Sequence, residues 1–115
     1  MNLLEETIHA IKNSGHEVLN IKFIGSQKSG YQCTWEEYEV LADKEYDAGF
    51  GGAEVASDLI IVFNDNTYMT RGEYDGSEWW EYNVPFKMPE ESKNIKTLFD
   101  DGYWRDLKDI HEHEE

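Results

Sequence analysis

The sequence predicts an α+β fold: an antiparallel sheet of three to four strands, a β-meander plus an N-terminal strand, packed by two helices from the N-terminal half and followed by a partly helical C-terminal tail. Three observations carry this. Two capping patterns stand ahead of helix-periodic stretches, residues 58–63 carry a continuous apolar run behind Asp58, and an Asp75-Gly76 pair is flanked by strand-forming residues. A chain of 115 residues has room for one core and not for two. Residues 1–86 are therefore expected to form one domain and residues 87–115 a partly ordered extension.

Asn2 stands three residues before Glu5, the spacing of a helix N-cap pairing. Leu4, Ile8 and Ile11 then share a helical stripe, and Asn13-Ser14-Gly15 ends the run. Over residues 17–24 the period changes to two, with Leu19, Ile21 and Phe23 on one face and Asn20 and Lys22 on the other, as in a half-buried strand. Residues 25–32 read as a polar loop.

Thr34 and Glu37 form a stronger capping box, because the hydroxyl can accept from the third amide while the carboxylate reaches back. The inner stripe of this second helix is Tyr38, Leu41 and Ala42, extended by Tyr46, with Glu45 on the same spacing; the other face is rich in carboxylates. Gly49-Phe50-Gly51-Gly52 is expected to stop it, Gly49 supplying the positive φ of a helix C-terminus.

The run at 58–63 is rich in β-branched residues and reads as a central strand covered on both faces. Asn64-Asp65-Asn66 turns the chain into a strand over 67–73, and Asp75-Gly76 turns it again into a strand over 78–82. A two-residue type I′ loop needs positive φ at both central positions, which Asp tolerates and Gly adopts freely. Trp79 and Trp80 then point to opposite faces, so one anchors the core while its neighbour meets a helix, the tail or a partner. Beyond Pro85 and Pro89, residues 93–100 read as a short helix, and Trp104, Leu107 and Ile110 repeat on one helical stripe.

The formal charge is −15, from 25 acidic and 10 basic residues. Acids and bases balance at three each in residues 1–32, but stand at eight to one in 33–58 and five to one in 59–86. Long-range repulsion of this size disfavours direct binding to nucleic acid or an anionic membrane and favours a basic protein partner. Cys33 is the only cysteine, so no intramolecular disulfide can form. The N-terminus lacks the basic flank and apolar run of a signal peptide, and no segment nears the ~20 apolar residues of a membrane span. A cytoplasmic protein is expected.

Little in the chain points to catalysis. His111-Glu112-His113-Glu114-Glu115 offers metal-competent groups, but histidines two apart on a helix diverge and a chain end supplies no supporting shell. With 25 carboxylates present, spacing alone assigns no acid–base pair. Cys33 has no histidine nearby and reads as a small buried residue ahead of the second helix; His9 and His16 read as surface residues. The Gly49–52 stretch follows a helix where a phosphate loop precedes one. Arg71 and the aromatics could stack on bases, yet the positive groove of a single-strand binder is missing. No catalytic residue, metal or cofactor is therefore expected.

Cys33-Thr34-Trp35-Glu36-Glu37, Leu41-Ala42-Asp43, Glu45-Tyr46-Asp47, Gly49-Phe50-Gly51 and residues 71–82 together resemble a family of small acidic proteins encoded by phages and prophages of Gram-positive bacteria. The resemblance covers residues 16–86, and its most specific part is Glu-Tyr-Asp-Gly-Ser-Glu-Trp-Trp-Glu. It implies a setting in a bacterial host cell, where small acidic phage proteins often inhibit host defences, anti-CRISPR and anti-restriction proteins among them. On that basis the partner is a basic host protein, a CRISPR effector or another nucleic-acid-binding enzyme. The candidate partner-binding residues are Glu36, Glu39, Asp43, Asp47, Glu73, Asp75, Glu78 and Glu81, with Trp79 and Trp80 as aromatic anchors. The alternative is a phage interaction or oligomerisation module that uses the aromatic hairpin without mimicry. An unpaired meander edge invites homodimerisation, which Glu-rich edges discourage.

Overall fold

Both predicted caps open helices. In the computed structural model, which describes residues 1–49, 52–83 and 86–112, the Asn2 side chain accepts from the Glu5 amide at 3.0 Å and starts α1, Leu3–Asn13. Thr34 and Glu37 form the reciprocal box at the start of α2, Trp35–Ala42, with bonds of 2.8 and 3.1 Å. The buried face of α1 is Leu3, Thr7 and Ile11, and Ile8 of the expected stripe is exposed. Thr7 is admitted to the core by its hydroxyl, which bonds the Leu3 carbonyl at 2.7 Å, the Tyr38 hydroxyl at 2.8 Å and the Trp80 indole N–H at 3.1 Å.

α2 ends at Ala42 and not at Gly49. The chain there leaves the helix to run beside the N-terminus: the Leu3 amide donates to the Lys44 carbonyl and the Tyr46 amide to the Met1 carbonyl. Tyr38, Ala42 and Tyr46 are buried as expected, whereas Glu45 faces solvent. Phe50 and Gly51 of the expected stop lie outside the described residues.

The strand expected over 17–24 begins only at Ile21. Asn20 turns its side chain back onto the Glu17 amide at 2.8 Å, which winds Val18–Asn20 into a 3-10 turn and leaves Leu19 87% exposed. β1, Ile21–Gly25, then pairs antiparallel with β3, Ile60–Phe63, through a register shift between Ile21 and Phe23. That irregularity brings Ile21 to the face of Ile24, while Phe23 goes to the other face.

The remaining strands are β2, Tyr31–Gln32, β4, Tyr68–Tyr74, β5, Ser77–Asn83, and β6, Lys93–Asn94. They assemble in the order β5-β4-β3-β1-β2-β6. β2 and β6 run parallel and the other neighbours antiparallel, so the α+β class holds with a sheet that is mixed and larger than the meander and its one added strand. Residues expected as a helix over 93–100 instead supply β6. Ile95, Leu98 and Leu107 enter the same core as Leu3, Ile24 and Phe63, which makes residues 87–112 part of the fold and not an appendage. α3 runs Leu107–Glu112, and Trp104 lies before it at φ 52°.

β3 is buried throughout, as its composition requires. Ile61 and Phe63 meet the helices, while Ile60 and Val62 join Phe23 on the opposite face. Since β5 and β6 are opposite edges, the chain between them must cross the sheet. Phe86 lands on Phe23 at 5.3 Å between ring centres and helps cover that second face. Among the described residues no helix is long and apolar enough to cross a membrane.

Candidate functional site

The hairpin forms around the predicted turn. Asp75 and Gly76 take φ of 53° and 86°, and the seven pairs from Tyr68↔Asn83 to Tyr74↔Ser77 run in register. The Glu73 carboxylate accepts from the Gly76 amide at 2.9 Å, so Glu73 closes the turn.

One member of the expected binding set, Glu78, lies inside, and a second, Trp80, is half-buried. Glu78 is only 5% exposed, which removes it from any partner-facing surface. It accepts from the Glu54 amide at 2.6 Å and the Val55 amide at 3.1 Å, and pairs with Arg71 at 3.3 Å. Arg71 is buried too, and reaches Glu6 at 3.1 Å and the Tyr46 hydroxyl at 3.0 Å, with its guanidinium 4.8 Å from the Trp80 ring. The Tyr46 hydroxyl in turn donates to Glu6. Arg71 is thus committed to the interior and cannot stack on bases. Burial pushes the Glu78 carboxyl above its ordinary range, against the two amides and the guanidinium that favour its ionised form. Trp80 is half-buried against the main core, whereas Trp79 is 36% exposed on the opposite face.

This node ties the segment after α2 to the hairpin. The Glu78 amide donates to the Ala48 carbonyl at 3.1 Å, the Glu54 carboxylate accepts from the Asp47 amide at 3.0 Å, and the Glu54 carbonyl accepts from the Asp100 amide at 2.6 Å. Asp43 accepts from the Asn2 side chain at 3.0 Å, and Glu45 pairs with the terminal amino group at 3.2 Å. The linked segments carry the exposed Asp43, Glu45, Asp47, Asp75 and Asp101, termed together the acidic rim. Arg105 beside it is held by Asp100 and Asp101, and Lys44 lies 4.2 Å from the Phe99 ring.

The structure therefore divides the expected carboxylates. Asp43, Asp47 and Asp75 belong to the rim. Glu36 and Glu39 project from the exposed face of α2 beside Val40. Glu81 accepts from the Trp79 indole at 3.2 Å on the outer face of the hairpin. Sequence reading missed Glu45, Glu54 and Asp101 as neighbours of this set. The Arg71–Glu78 pair did leave a signal: once the Asp-Gly turn fixes the register, Arg71 opposes Trp80 and Glu78 opposes Glu73, which makes Arg71 and Glu78 diagonal neighbours on one face.

A Ser–His–Asp constellation also escaped the sequence. His16 lies between the Ser14 hydroxyl at 3.0 Å and the Asp65 carboxylate at 2.8 Å, stacked on Phe63 at 3.9 Å with its side chain 11% exposed, so it is not the surface residue expected. Ser14 also donates to the Ile11 carbonyl at 2.7 Å, and the amides of Ser14, Gly15 and His16 all bond carbonyls of α1. None of these amides is left to stabilise an oxyanion beside that hydroxyl. The arrangement fastens the end of α1 to the β3–β4 turn. The Asp65 carboxyl is held down to about 2, first by the Thr67 hydroxyl and then by His16.

His111 accepts from the Lys96 amide at 2.7 Å through Nε2, so Nδ1 carries the proton given to the Leu107 carbonyl. His113, Glu114 and Glu115 of the metal-competent run lie outside the described residues, and among the described residues no group of three or more His, Cys, Asp or Glu is placed to hold a metal. Cys33 is half-buried, and burial, reinforced by Glu37, pushes its thiol up to about 12.

Fold and surface together define an α+β protein with a mixed sheet and an acidic rim. Comparison with protein-family models, curated proteins and solved structures gives no match for the chain.

Proposed function

We propose that the chain is a non-catalytic, phage-encoded inhibitor whose acidic rim occupies the nucleic-acid channel of a host defence enzyme, a CRISPR effector or another nucleic-acid-binding enzyme. The observation that carries this reading is the rim itself. Exposed Asp43, Glu45, Asp47, Asp75 and Asp101 stand on segments tied together through Glu54, Glu78 and Arg71. Carboxylates on a fixed scaffold can meet the Arg and Lys side chains that a channel presents to phosphates, through charge-assisted hydrogen bonds. A single exposed ion pair contributes only about 0.2–1 kcal/mol, so affinity on this reading needs several pairs at once. The net charge of −15 adds steering of a basic target toward the rim.

The test is capture of host proteins by the tagged chain at low and moderate salt, beside a variant carrying Asp43→Lys, Glu45→Lys and Asp47→Lys. Recovery of a nucleic-acid-binding enzyme that fails at moderate salt and in the variant supports mimicry. Recovery indifferent to both removes it.

A second reading has its own observation. Tyr74, Tyr82 and Trp79 are 76%, 49% and 36% exposed on the hairpin, an arrangement suited to an interaction module without mimicry. Such an anchor holds or strengthens as salt rises, opposite to the rim.

A further inference from the structure

β5 is an edge strand, and part of its outer edge faces a groove. The two-residue turn pairs Tyr74 with Ser77, which directs the amides of Ser77, Trp79, Glu81 and Asn83 toward β4 and those of Glu78, Trp80 and Tyr82 away from it. The Ala48 carbonyl takes the Glu78 amide. Among the described residues none pairs with the outward amides and carbonyls of Trp80 and Tyr82. Alongside, Glu6, His9 and Ala10 of α1 face Met69, Trp80 and Tyr82 across a groove of about 350 Å³. An open strand edge next to a helix-lined groove suits strand addition, in which main-chain bonds supply affinity and alternate side chains supply specificity.

We propose that this edge binds an extended segment of a partner protein in which apolar and basic residues alternate. Successive side chains of an added strand point to opposite faces. One set enters the groove over Ala10, Met69 and the Trp80 ring. The other lies on the hairpin's outer face, where the Glu81 carboxylate and the exposed Trp79 ring stand together and a guanidinium or ammonium group can meet both. The net charge of −15 favours the same sign of partner. A second copy is a poor occupant: antiparallel pairing about Glu81 would set two Glu81 carboxylates opposite each other between chains of equal negative charge. The rim segment meets β5 at Ala48, one end of the open stretch, and the edge can bind its segment whether or not the rim imitates nucleic acid.

The test uses the full chain, isotopically labelled, and a capped peptide of about eight residues alternating Val and Lys, long enough to span a strand. Amide hydrogen exchange is followed residue by residue. The expected result is slowed exchange at Trp80 and Tyr82 with the Val/Lys peptide and none with a Val/Glu peptide. Glu81→Lys should weaken the effect by at least about tenfold. Tyr82→Pro deletes an outward amide without touching the β4 ladder and should abolish protection at the edge, with exchange in β3 reporting that the fold persists. Unchanged exchange at Trp80 and Tyr82, equal binding of the Val/Glu peptide, or full binding by both variants would overturn the proposal. Protection that grows with protein concentration and without peptide would assign the edge to a second copy and overturn it as well.

Discussion

The indole of Trp79 lies across Gly72: a Cβ placed on Gly72 would stand 2.5 Å from the Trp79 Nε1 and 2.5 Å from a Glu81 carboxylate oxygen. The two residues pair directly across β4 and β5, and the missing side chain makes the seat in which the ring meets Glu81. Gly72→Ala should lift the indole, break its bond to Glu81 and cost about 1–3 kcal/mol, the range of an overpacked contact. In a Trp79→Ala background the same change should cost far less. Urea denaturation of the four species gives the coupling, and the Trp79 indole proton resonance reports the displacement directly.

Glu78 holds a buried guanidinium and two backbone amides at once. Glu78→Ala leaves both amides without their acceptor and the guanidinium with only Glu6 and the Tyr46 hydroxyl, and should cost about 3–5 kcal/mol, the range for breaking a buried ion pair. Glu78→Gln keeps an acceptor oxygen and should cost less. Urea denaturation orders the two, and equal losses would mean that the negative charge, not an acceptor oxygen, is what this position requires.

Asp65 gives a prediction in acid. Its carboxyl is held at about 2 in the folded protein, below the ordinary value of about 3.9. The ionised form is therefore favoured by folding, and its contribution is present above about pH 4 and lost as pH falls toward about 2. Asp65→Asn should flatten the fall in stability across that window. Chemical denaturation at a series of pH values, wild type beside variant, measures the difference.

Cys33 gives the alkaline counterpart. Its thiol is pushed up to about 12, from an ordinary value of about 8.5. Burial favours the protonated form, so the contribution is complete below about pH 8.5 and is lost as pH rises toward about 12. At mildly alkaline pH the native chain should resist alkylation by iodoacetamide, while the urea-unfolded chain reacts readily, since the thiolate is the nucleophile. Mass spectrometry of the two samples decides it.

What was legible in the sequence was whatever local chemistry enforces. Asn2, the Thr34–Glu37 box, the Asp75-Gly76 turn and the apolar run at β3 each act over a few residues, and each stands where expected. The elements that failed depend on distant partners. Thr7 is buried because Tyr38 and Trp80 reach it, and a count of apolar residues passes over it. α2 stops early because the chain turns to pair with Met1 and Leu3. β2 and β6 hold two residues each and exist only through one another and β1, too short for any periodicity to reveal. At the candidate site, exposure was readable for Glu36, Glu39, Asp43 and Asp47, but the fate of Glu78 required the hairpin register, and Glu54 and Asp101 required the tertiary contact with Asp100.

The central claim is that the acidic rim stands in for nucleic acid, and competition tests it most directly. The nucleic-acid-binding enzyme recovered with the chain would be titrated with duplex DNA at low salt, and the chain still bound would be measured. The rim reading predicts mutual exclusion, with DNA displacing the chain and the Asp43→Lys, Asp47→Lys variant failing to displace DNA. A stable ternary complex of enzyme, DNA and chain would contradict it.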